Sequence, residues 1–400
     1  MLFQMRHILS VFLLFPLLTL AQQQPQKLTE DSHVSLITCG PGEELYEAFG
    51  HTAILVYDPN LKIETVYNYG TFDFGQPNFY LNFTRGNLLY MLATSRFGRF
   101  TRAYVSYNRS VTEQILNLNL AQRQAIYDKL EWNALDENRD YLYDYFFDNC
   151  STRPRDVIEG ALGGIISYDS SHVPVPRLTI RELVDSKIKR EIPWGDLGID
   201  ICLGARLDQQ ATAREYMYLP SELEKAFDHA TIPTTQGAQP LVAKKLFLFE
   251  ATPTEVEKSW FAPQIVFVGL LLFIAVIVTF LRAWNVNVRW LEGTIFLATG
   301  LLGWLLLLLW FGTNHAAAAN NWNLIWAFPV HIFFAIALYR KQRPAWVRWY
   351  ALFVIALSLA CLLGWNFLPQ MLHYSLKFIV LLQMFLAVGI FRMSRMPQKS

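Results

Sequence analysis

The stretch Tyr141-Leu-Tyr-Asp-Tyr-Phe-Phe-Asp-Asn-Cys150-Ser-Thr-Arg-Pro-Arg-Asp-Val-Ile158 sets one cysteine between an aromatic run and the start of a helix. Ser151 and Thr152 are favoured N-cap residues, and Pro154 suits a first helical turn, where its missing N–H costs nothing. Cys150 is thus expected where the helix dipole and free backbone N–H groups favour negative charge. Such a position lowers a thiol pKa and supplies donors for an oxyanion. Arg153 and Arg155 add positive charge. The competing reading is a small buried residue, since free cysteine is among the most buried types. Polar neighbours on both sides favour the reactive reading.

Outward from this segment, the chain divides by composition. Its 400 residues suggest two or three domains, and a net charge of +1 argues against a nucleic-acid partner. Hydrophobic residues make up 53% and lie mostly after Trp260. At the N-terminus Arg6 and His7 precede the apolar run Ile8 to Leu20 and then Ala21-Gln22, the order of a secretory signal cut near Ala21. The alternative is an uncleaved anchor, for which the apolar run is short. The expected organisation is a signal peptide at 1–21, an exported domain at 22–262 and a membrane domain at 263–400.

From Pro263 onward five apolar runs are long enough to cross a bilayer core: Pro263 to Leu281, Gly293 to Phe311, Trp322 to Tyr339, Trp349 to Phe367 and Leu372 to Phe391. The first loop carries Arg282 and Arg289, the third Arg340, Lys341, Arg343 and Arg348, and the tail Arg392, Arg395 and Lys399. The second and fourth loops, Gly312 to Asn321 and Leu368 to Met371, contain no Lys or Arg. Positive charge marks the cytoplasmic side, so the C-terminus is expected inside and residues 22–262 outside. This agrees with the export signal and implies a multi-pass membrane protein with an exported N-terminal domain. His331 is a candidate for a lipid pocket or a helix–helix hydrogen bond.

Within the exported part, Val34 to Thr38, His51 to Tyr57 and Ile63 to Tyr69 read as strands, the last two as a hairpin. Glu43 to Phe49 reads as a short helix ended by Gly50, and Phe100 to Val111 as a strand. Leu118 to Trp132 has helical spacing and is introduced by Asn117 or Asn119. Leu178 to Ile188 reads as a helix capped by Thr179. Asp196 to Arg206 reads as a Gly-rich loop, Arg214 to Asp228 as helix broken at Pro220, and Val242 to Phe249 as the closing strand. The aromatic segment Phe72 to Arg99 is either packed core or an apolar surface that receives lipid. A Cys39–Cys202 bridge is possible, which would leave Cys150 free.

A cysteine nucleophile needs a base. Of eight histidines, His51 alone follows a glycine at a strand start in the exported part, where it can face a helix terminus from a rigid sheet. Strand-borne histidine opposite helix-start cysteine is the arrangement of papain-like thiol enzymes. A third polar group orients such a base, and Tyr67, Asn68 and Tyr69 lie on the adjacent strand, with Asn68 the choice. Arg153, Tyr67 and Tyr69 are the candidate substrate-binding residues. No phosphate loop, CxxC pair or HExxH occurs, so no metal and no cofactor are expected.

Three segments carry a resemblance: Leu36-Ile-Thr-Cys-Gly-Pro-Gly-Glu-Glu-Leu-Tyr-Glu-Ala-Phe-Gly-His51-Thr-Ala-Ile, Val66-Tyr-Asn-Tyr-Gly-Thr-Phe-Asp-Phe-Gly75, and Phe147-Asp-Asn-Cys-Ser-Thr-Arg-Pro-Arg-Asp156. Together they resemble the periplasmic domain of the Lnb family, the lipoprotein N-acyltransferases of Bacteroidota. Met217-Tyr-Leu-Pro220 resembles a later family segment. The histidine-then-cysteine order is also similar to circularly permuted NlpC-like enzymes. The resemblance implies an α+β papain-like domain followed by five transmembrane helices. It further implies a Cys150 nucleophile and a His51 base, a membrane phospholipid as acyl donor and a diacylated lipoprotein as acceptor. A membrane-tethered cysteine amidase or peptidase acting on cell wall, and a lipid-binding sensor, are the rival readings.

Overall fold

Residues 26–253 and 260–393 are described by the computed structural model. The expected signal peptide falls outside them. The first half contains β1 (His33–Cys39), β2 (His51–Asp58), β3 (Ile63–Thr71), α1 (Phe79–Arg85), β4 (Leu89–Arg96), α2 (Phe97–Ser106), β5 (Val111–Leu116), α3 (Leu120–Ala134) and β6 (Asp140–Leu142). Then come α4 (Thr152–Ala161), β7 (Ser167–Tyr168), α5 (Ile180–Ile188), α6 (Pro193–Cys202), α7 (Ala213–Tyr216), α8 (Pro220–Asp228), β8 (Ala230–Thr234), β9 (Gly237–Pro240) and β10 (Val242–Phe249). The second half is α9 (Pro263–Ala283), α10 (Arg289–Phe311), α11 (His331–Tyr339), α12 (Trp346–Gly364) and α13 (Leu376–Met393).

A seven-stranded sheet runs in the order β10-β5-β1-β2-β3-β4-β6, with antiparallel neighbours throughout. Alternation along each strand sorts its side chains to two faces. Leu36, Ile54, Val56, Tyr67 and Tyr69 pack with Ile126 and Leu130 of α3, Ile158 of α4 and Phe227 of α8. Ile37, Cys39, Ala53, Leu55 and Val66 meet Phe100 of α2 on the other face. Full burial of an aliphatic such as Ile54 or Val56 contributes about 1.5–3 kcal/mol.

Several sequence expectations are corrected. Residues 43–49 form turns rather than a helix. The expected strand from Phe100 to Val111 is helix α2 followed by the start of β5: Phe97, Phe100 and Tyr104 recur at helical spacing and pack on the sheet. Asp196 to Arg206 is mostly α6, which Pro193 opens and Asp196 supports in the first turn. All four cysteines are free, and the Cys39–Cys202 bridge is not formed.

The third apolar run is also different. Among the described residues four helices, α9, α10, α12 with its 3-10 extension to Phe367, and α13, are long and apolar enough to cross a membrane. The run from Trp322 is instead a 3-10 turn at Trp322–Ile325, a bend through Pro329, and the nine-residue α11. Irregular backbone at this depth survives only when protein covers it. Gly303 and Gly300 permit that cover: a Cβ at Gly303 would stand 1.9 Å from the Ala327 carbonyl oxygen, and one at Gly300 2.6 Å from the Ile332 nitrogen. Gln383 then donates to the Trp326 carbonyl, and His331 bonds the Tyr350 hydroxyl at 2.9 Å. At the inner end buried Glu292 binds Arg282 at 2.6 Å and Arg343 at 2.9 Å.

The two halves meet along a polar seam. Gly204 N–H donates to Ala317, Asn321 and Asn323 side chains donate to carbonyls at the end of α6, and Gln370 donates to Leu203. A Cβ on Gly204 would lie 1.8 Å from the Ala319 oxygen, so only glycine admits this contact. The sheet-bearing half is thereby seated on one end of the helical bundle.

Candidate active site

The segment before α4 is wound by Asn149 rather than by the serine and threonine expected to cap it. Asn149 Oδ1 accepts from the N–H groups of Ser151 (2.8 Å) and Thr152 (2.9 Å), and its carbonyl accepts from Arg153. Thr152 Oγ1 returns a bond to the Asn149 N–H at 2.8 Å. Helical hydrogen bonding therefore begins at Asn149 and puts Cys150 in the first turn. The Met217–Leu219 segment clamps this turn: Asn149 Nδ2 donates to the Tyr218 carbonyl and Ser151 Oγ to that of Met217.

Cys150 lies against β2 and β3. The Thr52 N–H, the Tyr143 hydroxyl and its own N–H all favour the charged form of its sulfur. Gly70, at φ +87°, leaves room for it, because a Cβ there would stand 3.1 Å from Cys150 Cβ. Thr52 directly follows His51. His51 opens β2 opposite Cys39 of β1, and its Nε2 is 2.5 Å from Asn68 Oδ1. With the amide oxygen assigned to that contact, Nε2 carries the hydrogen and Nδ1 keeps the lone pair. The ring stacks on Tyr104 of α2 at 6.3 Å.

The electrostatics differ from the sequence expectation. Burial pushes the Cys150 thiol up to about 11, and the three donors and Arg109 only partly offset it. Burial likewise holds the His51 imidazole down to about 4, against the Asn68 bond, which favours the charged ring. Thiol and imidazole are thus both neutral at pH 7, not a preformed ion pair. The aromatic run around the helix tip outweighs the dipole by excluding water. Arg109 is the charge common to the site, lowering Cys39, His51, Tyr104 and Cys150 alike. It is itself held by Glu47 at 2.9 Å and by the Gly40 carbonyl. A cleft of about 350 Å³ opens beside Asn68, lined by Glu47, Arg99, Tyr104, Tyr107 and Arg109 among others.

The other candidates are held by partners of their own. Tyr67 is fully buried on the opposite face with its hydroxyl on Glu131, and Tyr69 is buried with its hydroxyl on Asn133 at 2.6 Å. Both serve the core under α3. Arg153 is engaged by Asp148 in a two-armed ion pair and covers the Tyr141 ring at 3.9 Å. Tyr104, Arg109 and Tyr143 were not singled out in the sequence, because only the tertiary fold brings them to Cys150 and His51, and Thr52 adjoins His51 but meets Cys150 only in the fold.

Among the described residues one group has metal-ligand character: Asp196, Asp200 and His373, within 4.8 Å of one another. Ser375 N–H points at His373 Nδ1 (3.2 Å), so Nε2 is the protonated nitrogen and donates toward Asp196 at 3.3 Å. A nitrogen in that state is a hydrogen-bond donor and not a ligand. Asp200 is already taken by Arg181 at 2.7 Å. The cluster is a charge-paired part of the seam.

A family model described as the Lnb N-terminal periplasmic domain matches residues 21–186, and one described as the Lnb transmembrane domain, of five helices, matches residues 255–398. Comparison with curated proteins and with solved structures gave no match. The two matched models follow the same order as the sheet-bearing and helical halves and cover most of the chain. The protein belongs to the Lnb family, with a periplasmic domain of mixed sheet and helix followed by a transmembrane domain.

Proposed function

We propose that the protein is a lipoprotein N-acyltransferase of the bacterial inner membrane that works through a thioester on Cys150. The observation carrying this reading is the packing of Cys150 against Gly70 of β3, two residues from Asn68, which bonds the His51 ring from the same β2–β3 pair. In the first step the thiol attacks the ester carbonyl of a membrane phospholipid. The carbon–oxygen ester bond breaks, and His51 passes the sulfur's proton to the leaving lysophospholipid oxygen. In the second step the neutral α-amino group of a lipoprotein's diacylglyceryl-cysteine attacks the thioester. The amide bond forms, the acyl carbon–sulfur bond breaks, and the amine proton passes through His51 to the departing Cys150 sulfur.

The neutral resting pair suits this chemistry. A buried thiol of raised pKa is a poor nucleophile until a carbonyl is seated and a base removes its proton. That restrains idle alkylation and idle thioester formation. The Thr52 and Cys150 N–H groups would serve as donors to the developing negative charge. Both substrates are membrane-anchored, and the seam holds the site to the bundle. Asn68 would act as the positioning residue, bonded to the base as an orienting group must be.

The test is the mass of lipoprotein N-termini from cells lacking the protein. Loss of one acyl chain, restored by the parent gene and not by Cys150→Ala, is expected. Unchanged lipoproteins with altered cell-wall fragments would instead establish the amidase alternative.

A further inference from the structure

The segment between β3 and β4 is not packed as a core. Helix α1 has no buried residue, and Phe74, Tyr80 and Phe83 are 71%, 78% and 56% exposed. An apolar face of this kind on a membrane protein calls for a covering partner. Its placement says which one. The Arg85 carbonyl accepts from Asn314 N–H at 2.8 Å, and Asn314 Nδ2 donates to Asn87 at 2.6 Å. Gly86 permits the approach, since a Cβ there would stand 3.1 Å from the Asn314 carbonyl carbon. Asn314 lies just past Phe311, the last residue of α10. From Glu292 at the charged inner end to Phe311 the helix rises about 29 Å, close to the ~30 Å of a hydrocarbon core. The C-terminal end of α1 is therefore fastened at the outer rim of the bilayer.

A continuous series of rings leads from that rim to the thiol. Phe74 meets Phe79 and Phe72 at 5.0 Å each, Phe72 meets Tyr90 at 5.2 Å, and Tyr90 stacks on Tyr143 at 4.1 Å. Tyr143 and Cys150 meet at Gly70, where a Cβ would stand 3.6 Å from the Tyr143 ring and 3.1 Å from Cys150 Cβ. We propose that residues 72–90 insert their exposed aromatic face into the outer leaflet and that the Phe72–Tyr90–Tyr143 rings guide an acyl chain from the leaflet to Cys150. The insertion stands on exposure and anchoring alone. The delivery rests on the function proposed above.

The experiment uses the full-length protein in nanodiscs of phosphatidylethanolamine and phosphatidylglycerol. A trace of phosphatidylethanolamine carries a diazirine on one acyl chain, and photoadducts are mapped by mass spectrometry. Adducts on the peptide spanning Phe74 to Phe83 are expected in both the parent and Cys150→Ser proteins. The triple variant Phe74→Ser, Tyr80→Ser, Phe83→Ser should acquire the Cys150 acyl adduct about tenfold more slowly. Its thermal unfolding and its Cys150 alkylation by iodoacetamide should match the parent, which keeps misfolding distinguishable. Adducts confined to the five-helix domain would overturn the insertion. Adducts on α1 with parental acylation in the triple variant would overturn the delivery. Adducts on α1 with no acylation of the parent would leave the insertion standing and refute the transfer chemistry.

Discussion

Replacing Gly70 by alanine perturbs the site at its tightest backbone contact. Gly70 sits at φ +87°, a conformation that costs an L-residue roughly 1–2 kcal/mol. The new methyl would lie 3.1 Å from Cys150 Cβ, closer than an ordinary carbon–carbon contact. Cys150 must retreat by several tenths of an ångström, away from the Thr52 N–H. A 1 Å misplacement of a reacting group costs on the order of a hundredfold, so about half that shift predicts roughly a tenfold loss. Quenched-flow intact mass spectrometry of the Cys150 adduct gives the rate, and chemical unfolding gives the stability. The expected variant is folded, about 1–2 kcal/mol less stable, and about tenfold slower. A variant that is destabilised yet acylates at the parental rate would refute the idea that Gly70 positions the sulfur.

Tyr143→Phe removes a donor that lowers the thiol, so alkylation of Cys150 by iodoacetamide should need a pH above the parental midpoint near 11; an unchanged or lower midpoint would contradict this. His51, held to about 4, should stay neutral through mildly acidic pH, so the acylation rate should remain flat from pH 8 to 5 and fall as pH drops toward 4. The same buried ring contributes stability above pH 6.5 that is lost progressively as pH falls from 6.5 to 4, because the unfolded chain then binds the proton the folded chain refuses; a rate falling already near 6.5 would contradict the assignment. Glu292→Gln strips the buried carboxylate from Arg282 and Arg343 and should lower bundle stability by about 3 kcal/mol, read by thermal unfolding in detergent.

How much of this was visible in the sequence depends on the range of the interaction. The β2–β3 hairpin, the Thr179 helix cap and four of the five long apolar runs rest on local pattern, and they form among the described residues. Helix α2 was masked by its aromatic residues, which favour strand locally, whereas packing of Phe100 on the sheet settles it as helix. The break near Pro329 was signalled by Asn321, Asn323 and the proline, but average hydropathy over the run hid it. The thiol's protonation could not be read locally at all. A helix tip lowers such a pKa, and here the surrounding aromatic residues, brought in by β6 and the following turns, raise it further than the tip lowers it.

The central claim is that Cys150 carries the acyl group between two membrane-bound substrates. It is tested most directly by mixing purified full-length protein with phospholipid in the absence of acceptor and reading its intact mass. The account predicts one added acyl chain, mapped to Cys150, released by hydroxylamine and missing from His51→Ala on the same timescale. A folded protein that stays unmodified, or one that carries the chain on another residue, would contradict it.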